Sequence, residues 1–363
     1  MRVAPRVSPS EWMENYLKMI EFGEPRWIVG KINISMDAWH KHRERMEEIV
    51  LKHPLVFPFY KKGSVNFDDF GSRRKGSMFI DLWGCKWAFL LDGLQGQVVE
   101  HPLSDWRAWR SYRMPDPEEG VPQEGAPRHG RSAIEESVER VHEVGGLVEI
   151  SMGHGFFFQR LYYLRGFRNL LRDFVLKPPQ IYELVEALES FYMELTRRAA
   201  ELKPDIVSFG DDLGTQTGMP ISPKTFREFI FPAYKRIFGY LRGRGVHVYL
   251  HTDGRVVEVL DQLAETGVSV LNVQDRVNGL ENLRRLLKGR VCIDLDIDRQ
   301  RLLPFGTPSE VREHVKRAIL ELGSRRGGLM FTAGVYSDAK LENVDALASA
   351  FEEFAQLHLE LPD

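Results

Sequence analysis

The chain has 363 residues, is 43% hydrophobic and carries a formal net charge of −3. That length supports a large core, and the near-neutral balance leaves no basic footprint for nucleic acid. No run of eighteen apolar residues offers a membrane span, and the two cysteines, Cys85 and Cys292, form neither a disulfide framework nor a Cys-x-x-Cys knuckle.

Along the chain, Trp12, Tyr16, Met19 and Ile20 recur at helical spacing within residues 8–22. A strand near Arg26–Ile32 and an amphipathic helix over 37–52 follow, giving an N-terminal helical extension over about 1–52. Met78–Leu82 reads as a strand. The segment 83–130 holds Trp83, Trp87, Trp106 and Trp109 and then turns rich in Gly, Pro and Glu, so it reads as an inserted loop with a hairpin. From residue 146 strands and helices alternate. Strands are expected at Gly146–Met152, Asp205–Phe209, Val246–Leu250, Val268–Val273, Val291–Leu295 and Gly328–Phe331. Helices are expected at 156–200, 224–243, 255–266, 280–288, 308–323 and 342–358. With the two earlier candidates this makes eight β/α units, which close naturally into a (β/α)8 TIM barrel spanning 1–363 as a single domain. A doubly wound open sheet is the alternative, but no Gly-x-Gly-x-x-Gly follows any strand.

In a parallel barrel, residues just past the strands face one mouth. Those positions hold Asp81, Asp211 and Asp212, His251 and Asp253, Gln274 and Asp275, and Asp294, Asp296 and Asp298. Clustered carboxylates raise one another's pKa, bind a cation or stabilise a cationic intermediate. Equally, aspartates in such places cap the following helices, as expected for Asp298. Tyr162 and Tyr163 lie in an aromatic segment, Gly155–Gly166, that also reads as core. The turn Gly214–Gly218 leads to Ser222 as a helix cap before Pro223, and Cys85 reads as a packed thiol.

Several segments together resemble the uroporphyrinogen decarboxylase superfamily, from about residue 75 to 356. They are Gly210-Asp-Asp-Leu-Gly-Thr-Gln with Ile221-Ser-Pro, Phe231-Pro-Ala-Tyr-Lys, His251-Thr-Asp-Gly, Gly267-Val-Ser-Val-Leu-Asn, Phe305-Gly-Thr-Pro-Ser-Glu-Val and Glu342-Asn-Val. The superfamily holds the decarboxylases of haem synthesis and barrel methyltransferases that work with corrinoid proteins. The resemblance implies the (β/α)8 fold. It places Asp81 where the decarboxylases contact pyrrole nitrogens, and Tyr162 at their active-site tyrosine. In the methyltransferases a His-x-Cys and a later Cys bind zinc. Here His251 matches the histidine, Asp253 replaces the first cysteine, and Ala333 stands near the second. Residues 25–36 lack the decarboxylases' arginine-rich motif.

Three functions follow as expectations. The first is methyl transfer between a small methylated compound and a corrinoid on a partner protein, since no Asp-x-His-x-x-Gly corrinoid motif occurs in the chain. Its zinc would sit on His251 and Asp253, joined by Asp211, Asp212 or Asp294, a set suited to polarising oxygen. The second is cofactor-free decarboxylation of a carboxylated, pyrrole-like substrate, with Asp81 as stabiliser and Arg160, Arg165 and Arg255 holding carboxylates. The third is a non-catalytic binding protein. The expected catalytic residues are Asp81, Tyr162, Asp211 and Asp212. Trp83, Arg160, Gln216, Gln274 and Asp294 are expected to bind substrate. The opening Met-Arg-Val-Ala-Pro-Arg has no signal-peptide core, so a cytoplasmic enzyme is expected, and the superfamily suggests a homodimer.

Overall fold

The computed structural model describes residues 7–123 and 126–362. The described residues fold as two compact units, 7–71, 92–94 and 270–362 in the first and 72–91, 95–123 and 126–269 in the second.

The first unit opens with α1 (Pro9–Ile20), β1 (Gly30–Ile34) and α2 (Met36–Lys52). Ser8 and Glu11 form a capping box at the start of α1, with Pro9 in the first turn. The second unit runs β2 (Met78–Ile80), β3 (Lys86–Ala88), β4 (Gln97–Glu100), β5 (Val121–Gln123), β6 (Ala126–His129), α3 (Arg131–Glu143), β7 (Glu149–His154), α4 (Phe158–Arg165), α5 (Phe167–Leu176), α6 (Pro179–Glu201), β8 (Ile206–Gly210), α7 (Pro223–Phe229), α8 (Phe231–Arg242), β9 (His247–Thr252) and α9 (Leu260–Glu265). The first unit then resumes with β10 (Val270–Gln274), α10 (Asp275–Asn278), α11 (Leu280–Leu287), β11 (Cys292–Asp296), α12 (Leu302–Phe305), α13 (Pro308–Leu322), β12 (Leu329–Val335) and α14 (Leu341–Glu353).

In the first unit four parallel strands lie in the order β1-β12-β11-β10. All residues of β10 and β11 are buried, as in a parallel sheet covered on both faces. Phe351 of α14 stacks on Phe331 of β12 at 5.2 Å. A Cβ at Gly30 would come within 2.5 Å of the Phe351 ring, so the glycine admits that helix to the sheet.

In the second unit three parallel strands lie in the order β9-β8-β7. Their helices bury a knot of aromatic rings. Phe156 meets Phe209 and Tyr192 at 4.7 Å and Tyr234 at 5.2 Å, and Phe238 lies 5.0 Å from both Phe209 and Tyr234. This cluster fastens α6 and α8 to β8 by apolar burial and ring packing.

The fold is therefore α/β, and seven of the eight expected barrel strands are parallel strands. Met78–Leu82 is the exception and corrects the expectation. It yields β2, which pairs antiparallel with β3 in the three-stranded sheet β2-β3-β4. The apolar run is only three strand residues long, Met78 and Ile80 are both 65% exposed and Phe79 is only partly buried, so it lacks the two covered faces of a barrel strand. A turn closed by Gly84 N–H to the Asp81 carbonyl then reverses the chain. The inserted hairpin thus begins at 78 instead of 83, and α3 follows it unanticipated. The expected long helices are also divided. Gly166, at φ +81°, separates α4 from α5, Pro178 precedes α6, and Pro232 stands at the start of α8 just after α7 ends.

Candidate functional site

Three neighbouring strand ends in the second unit supply the most reactive constellation. Strands β7, β8 and β9 carry His154, Gly210 and His251 in register with one another. A register shift between Ser151 and His154 inserts one extra residue in β7, with Gly153 at φ +77°. Such a bulge re-aims the side chain that follows it. It brings the His154 ring across Gly210, where a Cβ would lie only 2.6 Å from His154 Cδ2. The two imidazoles come to 5.5 Å between centroids.

Asp212, two residues past Gly210, lies between them. Its Oδ1 is 3.2 Å from His154 Nε2 and 3.6 Å from His251 Nε2, and it accepts the Asp253 N–H at 3.1 Å. The Asp253 carboxylate is itself 3.5 Å from His251 Nε2. One ligating atom each from His154, Asp212 and His251 lie within 4.8 Å of one another, and all three side chains are 25–35% exposed. Burial works against the Asp212 charge. The hydrogen bond from His154 and the two nearby rings outweigh it and hold this carboxyl below the usual range.

The cluster sits on a rigid support. Asp211 is fully buried and accepts the backbone N–H groups of Phe158 and Gln159, each at 2.8 Å, and the Tyr234 hydroxyl at 2.6 Å. It thereby caps the start of α4 from outside that helix. Burial pushes its carboxyl up to about 7, against the pull of Tyr234 and the two N–H donors. Phe157 precedes α4 at φ 42°, ψ −82°, a conformation worth about 1–3 kcal/mol of strain that persists only when its surroundings fix it. Gln159 joins Asp212 to the aromatic segment, because its Nε2 lies 3.2 Å from the Tyr162 hydroxyl and 3.1 Å from that of Tyr163. Phe156, Phe157 and Phe158 are core, whereas Tyr162 is half-buried. Behind the site the 211–218 and 253–255 loops cross. Gly214 N–H donates to Asp253 O and Arg255 N–H to Thr215 O, and a Cβ on Gly254 would meet Gly214 at 2.2 Å.

Of the residues singled out from the sequence, His251, Asp253 and Asp212 come together here, with Asp211 and Tyr162 one contact away. His154 was missed. Its signal was the Gly-His-Gly that follows the apolar strand, parallel to the His251 strand end.

Asp81 lies in a different, closed cluster. Its Oδ1 accepts the N–H groups of Trp83 and Cys85 at 3.0 and 2.8 Å, and its Oδ2 accepts Trp87 Nε1 at 2.9 Å and Arg160 Nη1 at 3.3 Å. Trp83 is fully buried, 4.7 Å from Phe191 and beneath the Arg160 guanidinium. Arg165 is likewise buried, paired with Asp173 at 2.6 Å and stacked on Trp106. Cys85 is the packed thiol expected, and burial, then the Asp81 charge, push its pKa far up. Gln216 is exposed on the 215–218 turn, and Ser222 caps α7 as expected.

In the first unit Asp294 is buried against Lys31 Nζ at 3.0 Å and the Thr332 hydroxyl at 2.9 Å, and Asp296 pairs with Arg299 at 2.5 Å. Gln274 is buried, and its carbonyl accepts from Asn278. Asp298 accepts the N–H groups of Gln300 and Arg301, the capping role expected of it. Ala333 is buried in β12.

Parallel strands crossed by helices, with imidazoles and a carboxylate at the strands' carboxyl ends, define a β/α enzyme-type scaffold. A model of the uroporphyrinogen decarboxylase (URO-D) family matches residues 82–354, and the chain belongs to that family. No curated protein matches the chain significantly in sequence. A methyltransferase from Methanosarcina mazei is similar in structure, with a TM-score of 0.61 over 94% of this chain and 98% of that one at 17% identity, which speaks for the fold alone. Dihydropteroate synthase from Xanthomonas albilineans with 4-aminobenzoic acid (TM-score 0.32, 19% identity, 49% of this chain and 63% of that one) is far weaker. So is the D-psicose 3-epimerase with D-tagatose from Clostridium cellulolyticum H10 (TM-score 0.35, 12% identity, 64% and 85%). No helix among the described residues is long and apolar enough to cross a membrane.

Proposed function

We propose that this chain is a URO-D-family methyltransferase that moves a methyl group between a small O-methylated compound and a corrinoid carried by a separate protein. The observation that carries the reading is the His154–Asp212–His251 group, with its ligating atoms within 4.8 Å of one another. Two nitrogens and one carboxylate oxygen fit a zinc ion with a position left open to substrate, and Asp253 stands beside His251 as a further oxygen donor. When bound there, zinc would supply a Lewis acid for a donor oxygen, a harder site than a thiolate set.

The rest of the chemistry belongs to the chain. Transfer breaks the donor's C–O bond, the oxygen keeps the electron pair, and the methyl group goes to the nucleophilic acceptor. The departing oxygen needs a proton, and the half-buried Tyr162 hydroxyl is the donor we assign to it. Asp211 and Gln159 hold α4, and with it Tyr162, in place. A fold shared with a methyltransferase supports the reading.

The family match also supports decarboxylation. Against it stand the engagements of Asp81, Arg160 and Arg165, which are buried with partners from their own chain. Zinc-loaded protein offered methoxybenzenes or methanol with free cob(I)alamin is expected to form methylcobalamin, read by its absorbance. Carbon dioxide release from a carboxylated pyrrole, with no methyl transfer from any donor, would overturn the proposal in favour of the decarboxylase.

A further inference from the structure

We propose that Gln159 is the positioning residue of the His154–Asp212–His251 site, and that it sets Asp212 as a one-oxygen ligand. The inference rests on the metal-binding reading above. Gln159 is 3% exposed in the first turn of α4. Its Oε1 accepts the Asp212 N–H at 2.9 Å, while its Nε2 donates to Asp212 Oδ2 at 3.1 Å. The amide therefore grips one residue at two points, main chain and carboxylate. Only one orientation satisfies both, because the backbone N–H requires the amide oxygen and the carboxylate requires the amide nitrogen.

The grip has a chemical consequence. A carboxylate free to turn about its Cβ–Cγ bond offers a cation either oxygen or both. With Oδ2 engaged by Gln159, Asp212 presents Oδ1 alone, and Oδ1 is the atom that faces His154 Nε2 and His251 Nε2. Gln159 is itself held by its N–H on Asp211 Oδ1. The hydroxyls of Tyr162 and Tyr163 also lie within 3.2 Å of Nε2, so two amide hydrogens face three oxygens. Asp212 and Tyr162 thus draw on the same donor, which links the orientation of the ligand to that of the tyrosine.

The test is Gln159→Met, which keeps the length of the side chain and removes both polar atoms. Zinc affinity is measured by competition with a chromophoric chelator, and the visible spectrum of the cobalt(II)-loaded protein reports coordination number. The expected result is a weakening of zinc binding by about 10–100-fold, the range for loss of an outer partner of a metal ligand. The cobalt band should also fall in intensity as Asp212 turns to offer both oxygens. A purely structural role would lower the thermal midpoint and leave the cobalt spectrum unchanged. Wild-type metal binding with the same affinity and spectrum in Gln159→Met would overturn the inference and leave the metal reading standing. A wild-type chain that takes up neither zinc nor cobalt would overturn both. Should Gln159→Met fail to fold, Gln159→Asn, one methylene too short to span both points, is read by the same two outcomes.

Discussion

Two polar clusters in the second unit use similar residues to opposite ends. Around Asp81, four donors converge on a carboxylate that is 5% exposed, and the arginine among them is as deeply buried. Around Asp212, a carboxylate and two imidazoles are a quarter to a third exposed, with their heteroatoms turned toward one another. A buried charge must be paired and hydrogen-bonded, so the first cluster is closed to any further ligand. The second is held from behind by Gln159 and Asp211 and open in front. Closure, more than residue type, separates a structural ion pair from a binding site.

The largest effect is expected from Asp81→Asn, which removes the charge opposite buried Arg160 and should cost about 3–5 kcal/mol in denaturant unfolding. Zinc affinity should stay at the wild-type value, and a lost metal site with normal stability would reverse the two assignments. Next, Asp212→Ala should weaken zinc binding by more than about 100-fold, beyond the usual loss for an outer partner, with a far smaller change in the unfolding midpoint. Gly210→Ala forces a methyl group against the His154 ring. Overpacking of this kind costs about 1–3 kcal/mol, and metal binding should fall with it. Normal zinc affinity in that variant would mean His154 is no ligand.

The smallest effect is expected at a closed histidine in the first unit. His53 is buried between Glu352, 2.9 Å from Nδ1, and Asp345, 3.0 Å from Nε2. Burial opposes its charge, but the two carboxylate hydrogen bonds prevail and raise its pKa. Its stabilising contribution is therefore complete below the unfolded value of about 6.5 and fades as pH rises through the folded one. Wild-type stability should fall by on the order of 1 kcal/mol over that window, and His53→Gln should flatten the fall. An equal slope in the variant would place the titration elsewhere.

Much of the scaffold was legible in the sequence. The alternation from residue 146 located six parallel strands, because each buried run ends in a polar or glycine break. Met78–Leu82 misled because a three-residue apolar run does not say how many of its faces are covered. The site was half legible. His251, Asp253 and Asp212 could be named because they follow clean strand ends. His154 could not, since the extra residue that turns its ring across Gly210 depends on pairing with β8. Asp81 stood out by resemblance, and nothing local announced that Trp83, Cys85, Trp87 and Arg160 would occupy its oxygens.

Whether these strand ends hold a metal is read from the zinc stoichiometry of the purified protein after zinc loading and gel filtration, in wild type and in His154→Ala. Close to one zinc per chain is expected in the wild type and almost none in the variant. Zinc retained equally by both, or by neither, would rule out a metal held by His154, Asp212 and His251.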